Sequence, residues 1–158
     1  MHMKHLLCAA ALGLSASVTT ASGDDTATVT AFYDLLSNPG EQAQIDAFLA
    51  ATSDSWESIG TYTGTAKTRD AFLGQVGGFG QLLPDLDWAI QDMHTTGDVV
   101  TVRSRATGTP VAPLFGVDGQ GRGFDIMTID IHELQDGTIV RTYHVEAWAT
   151  ALQQLSGK

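Results

Sequence analysis

Acidic and imidazole side chains alternate along two neighbouring segments near the end of the chain, where they could carry out proton transfer. Asp130 and His132 lie two residues apart in the first segment, as do His144 and Glu146 in the second. Residues two apart on a β-strand point to the same face of a sheet. A carboxylate beside an imidazole fixes the ring tautomer and supports its charged form near neutral pH. We therefore predict Asp130 and His144 as a catalytic acid–base pair, with His132 at the rim of their pocket.

The turn between these segments decides whether the two catalytic candidates share a face, because a slip of one residue reverses every later side chain. A two-residue loop of Asp136 and Gly137 pairs Asp130 with Tyr143 and sends His144 to the far face. A three-residue loop pairs Asp130 with Thr142 and leaves His144 diagonal to it on the same face. We favour the three-residue loop because it collects the apolar side chains on the opposite face. These are Met127, Ile129, Ile131, Ile139, Tyr143 and Val145.

The start of the chain resembles an export signal. Lys4 precedes an apolar run from Leu6 to about Val18, which small residues follow. This order predicts a signal peptide over residues 1–23, cleaved near residues 21 to 23, and hence a periplasmic or secreted protein; an uncleaved N-terminal membrane anchor is the alternative. Residues 24–158, with a hydrophobic content of 43% for the whole chain, are enough for one domain with its own core. Cys8 lies in the leader, so the mature domain is expected to fold without disulfides.

Charge and composition exclude several classes of function. The formal net charge of −10 repels polyanions and anionic membrane surfaces, so we expect neither nucleic-acid binding nor stable membrane insertion after signal cleavage. A three-histidine metal site would require His94, which we place at a turn, and we predict no metal and no cofactor. The predicted mature domain has neither a GxSxG motif nor a cysteine, so nucleophilic catalysis has no visible candidate.

The periodicity along the chain predicts an α+β domain in which helices pack on a curved antiparallel sheet to form a cone with an internal pocket. Two helices come first, over residues 24–38 and about 41–51, and a short edge strand or irregular crossing follows over 55–64. A third helix is expected from Arg69 to about Val76, where Gly77–Gly80 unwinds it into a loop. Four long strands and a short helical tail complete the domain.

Several further side chains could line the internal pocket. Its aromatic candidates could equally be core residues, and the arginine candidate could instead form a surface ion pair. The predicted pocket or substrate-binding residues besides His132 are Trp56, Tyr33, Phe115, Trp148 and Arg105. Such a pocket would take a small apolar molecule held by a few polar groups.

Four segments together resemble one known family. They are Leu86-Asp87-Trp88, the run ATGTPVAPLFGV of Ala106 to Val117, the IDI of Ile129 to Ile131, and DGTIVRTYHVEAW of Asp136 to Trp148. These residues look like the SnoaL-like polyketide cyclase and ester cyclase family of the nuclear transport factor 2-like superfamily, which is cystatin-like in fold. The resemblance extends from about Val29 to Leu155 and implies the cone described above.

The resemblance also implies a class of chemistry. In the best-known cyclases of the family, an acid late in the second strand of the hairpin is the general acid and base, assisted by a histidine on the preceding strand. Matched at Asp136-Gly137, the acid position falls on His144 and the histidine position on Asp130, so the two residue types are exchanged. We expect a cofactor-independent enzyme that acts on a small apolar carbonyl compound, of cyclase, isomerase or hydrolase type. The alternative is a non-catalytic binding or accessory protein, and a homodimer through the sheet is a further expectation.

Overall fold

Helices and strands follow one another in the predicted order in a computed structural model, which describes residues 23–157. The predicted leader lies outside the described residues except for Gly23. The helices are α1 (Gly23–Ser37), α2 (Gln42–Ala51), α3 (Arg69–Leu82) and α4 (Trp148–Ser156). The strands are β1 (Thr52–Ile59), β2 (Lys67–Thr68), β3 (Asp87–Thr96), β4 (Val99–Gly108), β5 (Phe124–Gln135) and β6 (Thr138–Glu146). The α+β class with a curved, open sheet is thereby confirmed.

The six strands form one sheet in the order β2-β1-β6-β5-β4-β3. Strand β1 runs parallel to β6, whereas every other neighbouring pair is antiparallel. The sequence predicted an entirely antiparallel sheet. Because β1 and β6 are far apart in the chain, no hairpin turn forces them to run in opposite directions. The parallel pairing brings the end of β1, at Ile59, beside Tyr143 on β6.

The β5–β6 hairpin differs from the predicted register but keeps the predicted face. Asp136 and Gly137 form a two-residue turn with positive φ angles of 50° and 75°, as a type I′ turn requires. A bulge then places Val140 between two paired positions, and this slip of one residue sets Asp130 directly opposite His144. The predicted pairing of Asp130 with Thr142 is wrong, since His132 faces Thr142. Ile139 precedes the bulge and is therefore buried, not on the outward face.

Helix α3 is longer than predicted, because its glycines do not end it. Thr68 caps the helix by accepting a hydrogen bond from the Ala71 N–H, as expected, but the helix continues through Leu82. Val76 is buried and Phe79 packs against the core, so tertiary contacts outweigh the low helix propensity of glycine. The predicted loop at Gly77–Gly80 is therefore a helical turn that carries Phe79.

The two faces of the sheet have different surroundings. Alternate residues of β5 from Phe124 to Leu134 are buried beneath the helices, whereas Met127, Ile129 and Ile131 point outward and are partly exposed. One cluster of aromatic rings fills the space between the sheet and the first three helices. Its members are Phe32, Tyr33, Phe48, Trp56 and Phe72. The space between the sheet and these helices is therefore packed with aromatic side chains.

Candidate functional site

His144 and Glu146 form a hydrogen-bonded pair on the inward face of β6. The Nδ1 atom of His144 lies 2.9 Å from Oε1 of Glu146. Both residues border a cavity of about 240 Å³ at the mouth of the cone. Because the carboxylate accepts a hydrogen bond from Nδ1, the pair fixes the tautomer that leaves Nε2 free to accept a proton. This arrangement resembles the orienting half of many acid–base sites.

Aromatic rings form one wall of this cavity. Phe79 of α3 stacks on Trp148 with 5.8 Å between ring centroids, and Phe115 meets Trp148 edge-on at 5.4 Å. All three border the cavity, together with the polar side chains of Lys67 and Gln75. The structure thus places Phe115 and Trp148 at the mouth of the cone, where the sequence analysis proposed a pocket. The wall suits an apolar ligand.

Two buried polar atoms beside the cavity have no hydrogen-bond partner among the described residues. One is Nε2 of His144 and the other is Oγ of Ser58, whose residue is only 2% exposed. Both residues border the same cavity. Buried polar groups in folded proteins are nearly always paired, so two such groups at one cavity mark a place where a ligand or a water molecule would complete their hydrogen bonds. Sequence reasoning missed Ser58, because nothing in its local pattern distinguishes it from the other hydroxyls of β1.

Gly60 lies directly against the His144 ring. A Cβ atom at this position would stand 2.7 Å from Cε1 and 2.8 Å from Nε2 of His144. Only a residue without a side chain allows this approach. The sequence alone did not reveal the contact, since it joins positions in different strands through the parallel β1–β6 pairing.

Asp130 lies on the inward face, opposite His144, but not in direct contact with it. No hydrogen bond or ion pair joins the two side chains, and Asp130 instead accepts a hydrogen bond of 2.9 Å from the Tyr33 hydroxyl. Burial raises the pKa of Asp130 from 3.8 to about 7, helped by the charge of Glu146, whereas Tyr33 and His144 oppose the rise. Asp130 is 3% exposed and, unlike Ser58 and His144, does not border the cavity.

His132 is in the core, and its predicted rim position is wrong. It is fully buried, with Nε2 3.0 Å from the Tyr33 hydroxyl and Nδ1 3.0 Å from Oγ1 of Thr142. Burial lowers the pKa of His132 to about 3, so its ring is neutral at ordinary pH. We expected His132 to be exposed because it lies close to the Asp136-Gly137 turn. Helix α1, however, crosses this part of the sheet and covers His132 with Phe32 and Tyr33.

The remaining predicted pocket residues lie away from the cavity. Tyr33 and Trp56 are core residues, 2% and 1% exposed, and the Trp56 indole donates a hydrogen bond to Thr142. Arg105 lies on the outward face of β4, where its Nε donates to Asp125 at 2.8 Å. This guanidinium lowers the pKa of the Asp125 carboxyl. The predicted contact of Arg105 with the pocket is therefore replaced by a surface ion pair.

The arrangement of the His, Cys, Asp and Glu side chains and the length of the helices bear on metal binding and on membrane insertion. Across residues 23–157, no group of three or more His, Cys, Asp or Glu side chains is arranged to hold a metal ion. None of the helices described has the length and apolar character needed to cross a membrane.

Comparison with known proteins identifies the family. The family model for the SnoaL-like polyketide cyclase matches residues 27–155. The chain belongs to this family. Family membership confirms the resemblance seen in the sequence and indicates a cyclase or isomerase type of enzyme that works on small molecules without a cofactor. A comparison with curated protein sequences finds no match.

Solved structures share the fold of this SnoaL-like chain. IdmH of Streptomyces antibioticus, described as a proposed polyketide cyclase, is 23% identical with a TM-score of 0.72, over 83% of this chain and 97% of its own. A proposed polyketide cyclase of Bacillus cereus is 21% identical with a TM-score of 0.67, over 84% and 80%. TsrD of Streptomyces laurentii is 15% identical with a TM-score of 0.74, over 89% and 100%. At these identities the likeness establishes the nuclear transport factor 2-like fold alone.

Proposed function

We propose that this protein is a cofactor-independent enzyme that moves a proton on a small, largely apolar carbonyl compound, with His144 as the proton-transfer group. One observation carries the proposal: Nε2 of His144 and Oγ of Ser58 are both buried, unpaired and beside the same aromatic-walled cavity. A carbonyl compound would satisfy both, because its oxygen accepts from the Ser58 hydroxyl while an acidic C–H faces Nε2.

The chemistry follows from this placement. Nε2 of His144 takes a proton from the carbon beside the carbonyl, and the electron pair of the broken C–H bond moves onto the carbonyl oxygen as an enolate. The Ser58 hydroxyl donates to that oxygen, and Glu146 stabilises the imidazolium through Nδ1. If a C=C bond is conjugated with the enolate, the imidazolium returns the proton to the far carbon of the dienolate, the double bond shifts and the carbonyl group re-forms, which is isomerisation. If the substrate has a second carbonyl group, the enolate carbon bonds to that carbonyl carbon, the first carbonyl group re-forms, and the imidazolium protonates the new alkoxide, which is aldol ring closure. Asp130, when charged, also stabilises the imidazolium from its position opposite His144 on β5.

The cavity limits the size of the substrate. Its volume of about 240 Å³ lies below the roughly 300–1,000 Å³ that is common for drug-sized ligands. We infer that the substrate is a small carbonyl compound, or one end of a longer chain that extends from the mouth of the cone.

Whether His144 acts as a base in an apolar pocket can be tested without the native substrate. Nitrobenzisoxazole opens to a coloured cyanophenolate when a base removes its ring proton, and we expect the wild-type protein to catalyse this opening. His144→Ala should lower the catalysed rate by about 10² to 10⁴, and Ser58→Ala should lower it by about 10². The exposed His94→Ala is the matched control and should leave the rate unchanged. Equal rates for the wild type and His144→Ala would contradict the proposal.

A non-catalytic binding or accessory protein is the second candidate. The observation that favours it is that Nε2 of His144 is buried against Gly60, although both residues border the cavity. If this role is correct, a small apolar ketone binds with the same affinity to wild-type protein and to His144→Ala, and no carbonyl probe turns over. Calorimetric titration with such a ketone, next to the rate assay, separates the two functions.

Export is part of the same proposal, and the leader over residues 1–23 supports it. The intact mass of the protein recovered from the periplasm or medium of a bacterial host should correspond to a chain that begins near residue 22 to 24. An uncleaved chain that stays in the membrane fraction would instead support the anchor interpretation.

We also propose a homodimer through the outward sheet face. Apolar side chains cluster there, with Val145 71% exposed and Met127 54% exposed beside Ile129 and Ile131. Contiguous exposed apolar surface is typical of an association site, and a two-fold axis would pair the face with itself. Light scattering should give twice the chain mass for the wild type and the single-chain mass for Ile129→Lys, whereas Gln42→Lys, at an exposed position of α2, should stay dimeric. A monomeric wild type would contradict the dimer.

A further inference from the structure

Five buried side chains form a continuous line of hydrogen-bonding groups behind the cavity, which we call the buried chain. It runs from Trp56 through Thr142, His132 and Tyr33 to Asp130, and each member is at most 3% exposed. Successive atoms are 3.1 Å apart from the Trp56 indole nitrogen to Thr142 Oγ1, and 3.0 Å apart from Thr142 Oγ1 to His132 Nδ1. The line continues over 3.0 Å from His132 Nε2 to the Tyr33 hydroxyl, and over 2.9 Å from there to Asp130 Oδ2.

The number of hydrogen atoms in the buried chain restricts which group can donate in each of its hydrogen bonds. Tyr33 has one hydroxyl hydrogen but stands between two neighbours, and its pKa is raised by burial and by the charge of Asp130, so the hydroxyl stays protonated. His132 is a neutral ring, with one nitrogen that donates and one that accepts. The Trp56 indole can only donate. When the proton of a protonated Asp130 is on Oδ2, the oxygen that contacts Tyr33, all the contacts can be satisfied in just two ways.

The first arrangement requires Asp130 to be a carboxylate. Tyr33 donates its hydrogen to Asp130 Oδ2, so His132 must donate to the Tyr33 oxygen from Nε2. Nδ1 of His132 is then an acceptor, and the Thr142 hydroxyl donates to it while its oxygen accepts from Trp56. Every contact in the chain has one hydrogen.

The second arrangement requires Asp130 to be protonated. The carboxylic acid donates to the Tyr33 oxygen, and Tyr33 donates to Nε2 of His132. His132 now carries its hydrogen on Nδ1 and donates to Thr142, whose oxygen also accepts from Trp56. The two arrangements differ by one proton in total, the proton on Asp130, and by the direction of the bonds between Asp130 and Thr142.

We propose that the buried chain is a two-state relay in which the protonation of Asp130 switches His132 between its two neutral tautomers through Tyr33. Tyr33 is therefore a positioning residue that links the carboxyl behind His144 to the centre of the core. The inference does not depend on the proposed function, because it follows from contacts that no ligand makes. It bears on that function because the state of the relay is coupled to the protonation of Asp130, which lies opposite His144.

Three elements face Asp130, and two of them carry groups that act on its pKa. Helix α1 contributes Tyr33, and β6 contributes His144 and Glu146, whose effects on the pKa of Asp130 are opposite in sign. On β4 the residue opposite Asp130 is Val102, which has no charge. The balance leaves the pKa of Asp130 at about 7, so both states of the relay are populated near neutral pH.

The tautomer of His132 can be observed directly in the full chain. Long-range proton–nitrogen correlation spectra of isotope-labelled protein distinguish a protonated imidazole nitrogen from an unprotonated one. Spectra should be taken about two pH units below and above the Asp130 pKa of about 7, where either form dominates by about 100-fold. We expect the hydrogen on Nδ1 at the lower pH and on Nε2 at the higher pH, with the ring neutral in both.

Two substitutions test the link itself. Tyr33→Phe keeps the ring in the core but removes the hydroxyl, so the His132 tautomer should no longer change with pH. Asp130→Leu leaves Tyr33 only Nε2 as acceptor, so the hydrogen should stay on Nδ1 at both pH values. One tautomer at both pH values in the wild type, or a switch that survives Tyr33→Phe, would overturn the inference. The wild-type comparison needs no substitution and stays decisive if a variant fails to fold.

Discussion

At the residue scale, the orientation of His144 depends on two contacts that hold its ring from opposite ends. Glu146 holds Nδ1 at 2.9 Å, and the backbone of Gly60 closes over Cε1 and Nε2. A ring fixed in this way loses little freedom when a ligand arrives, which is how orientation contributes to rate. Any side chain at position 60 would remove the second of these contacts.

Gly60→Ala should therefore displace the His144 ring without disturbing the core. The added Cβ would stand 2.7 Å from Cε1, which is closer than packed atoms approach, so the ring must turn away and its contact with Glu146 is broken. We expect the rate of nitrobenzisoxazole opening to fall by about 10², with the imidazole signals of His144 shifted. Gly40→Ala, which meets no atom within 4 Å, is the matched control. An unchanged rate in Gly60→Ala would show that the ring position is not critical.

Residue types and spacing predicted part of this site. The alternation of Asp130, His132, His144 and Glu146 identified the inward face correctly. The same pattern could not show that Glu146, and not Asp130, binds His144 directly, because that depends on the side-chain rotamers. It could not show Gly60 or Ser58 either, since their contacts with β6 are set by a parallel pairing between distant segments.

At the element scale, α3 shows how packing overrides local preference. Four of its residues are glycines, at positions 74, 77, 78 and 80, yet the helix continues to Leu82. Gly77 and Gly78 meet no atom within 4 Å, whereas a Cβ on Gly80 would lie 2.5 Å from Cγ of Pro39. One glycine is therefore required by a neighbour, and the two central ones weaken the helix that carries Phe79 to the cavity.

Matched substitutions in α3 should change stability in opposite directions. Gly78→Ala should raise the free energy of unfolding by about 0.5–1 kcal/mol, because alanine loses less backbone entropy in a helix. Gly80→Ala should lower it by about 1–3 kcal/mol, because the Pro39 ring is rigid and the helix must shift. Urea denaturation of both variants measures the difference. If both substitutions stabilise the protein, the contact between Gly80 and Pro39 is not a close one.

The turn of the β5–β6 hairpin could be predicted from the sequence, but its register could not. The Asp-Gly pair identified the turn, and the apolar pattern identified the outward face. The bulge at Val140 has no local sequence signal, so the register was inferred from the face and was displaced by two residues, from Thr142 to His144 opposite Asp130. The faces beyond the bulge were nevertheless right, although Ile139 before it was not, because burial constrains the face of a strand more strongly than its partner.

At the scale of the whole molecule, two buried ionisable groups affect stability in opposite ways. Burial raises the pKa of Asp130 from 3.8 to about 7, so its contribution to stability is lost as pH rises across that interval. Burial lowers the pKa of His132 from 6.5 to about 3, so its contribution is lost as pH falls across that interval. Where the intervals overlap, the two effects cancel.

Single substitutions should reveal each effect. Relative to the wild type, Asp130→Asn should gain up to about 1.4 kcal/mol of unfolding free energy per pH unit as pH rises from about 4 to about 7. Relative to the wild type, His132→Gln should lose a similar amount of unfolding free energy per pH unit as pH rises from about 3 to about 6.5. Denaturant unfolding across this range provides the comparison. Differences from the wild type that do not vary with pH would contradict the burial of Asp130 and His132 in their uncharged forms.

The central claim is that His144 moves a proton on a carbonyl compound held at the mouth of the cone. Solvent deuterium uptake at the carbon beside the carbonyl of cyclohexanone, followed by proton NMR, tests that step without a native substrate. We expect wild-type protein and His94→Ala to accelerate uptake equally, and His144→Ala to lose at least about 10² of the acceleration. Uptake that is equally fast in His144→Ala, or that no form of the protein accelerates, would contradict the account.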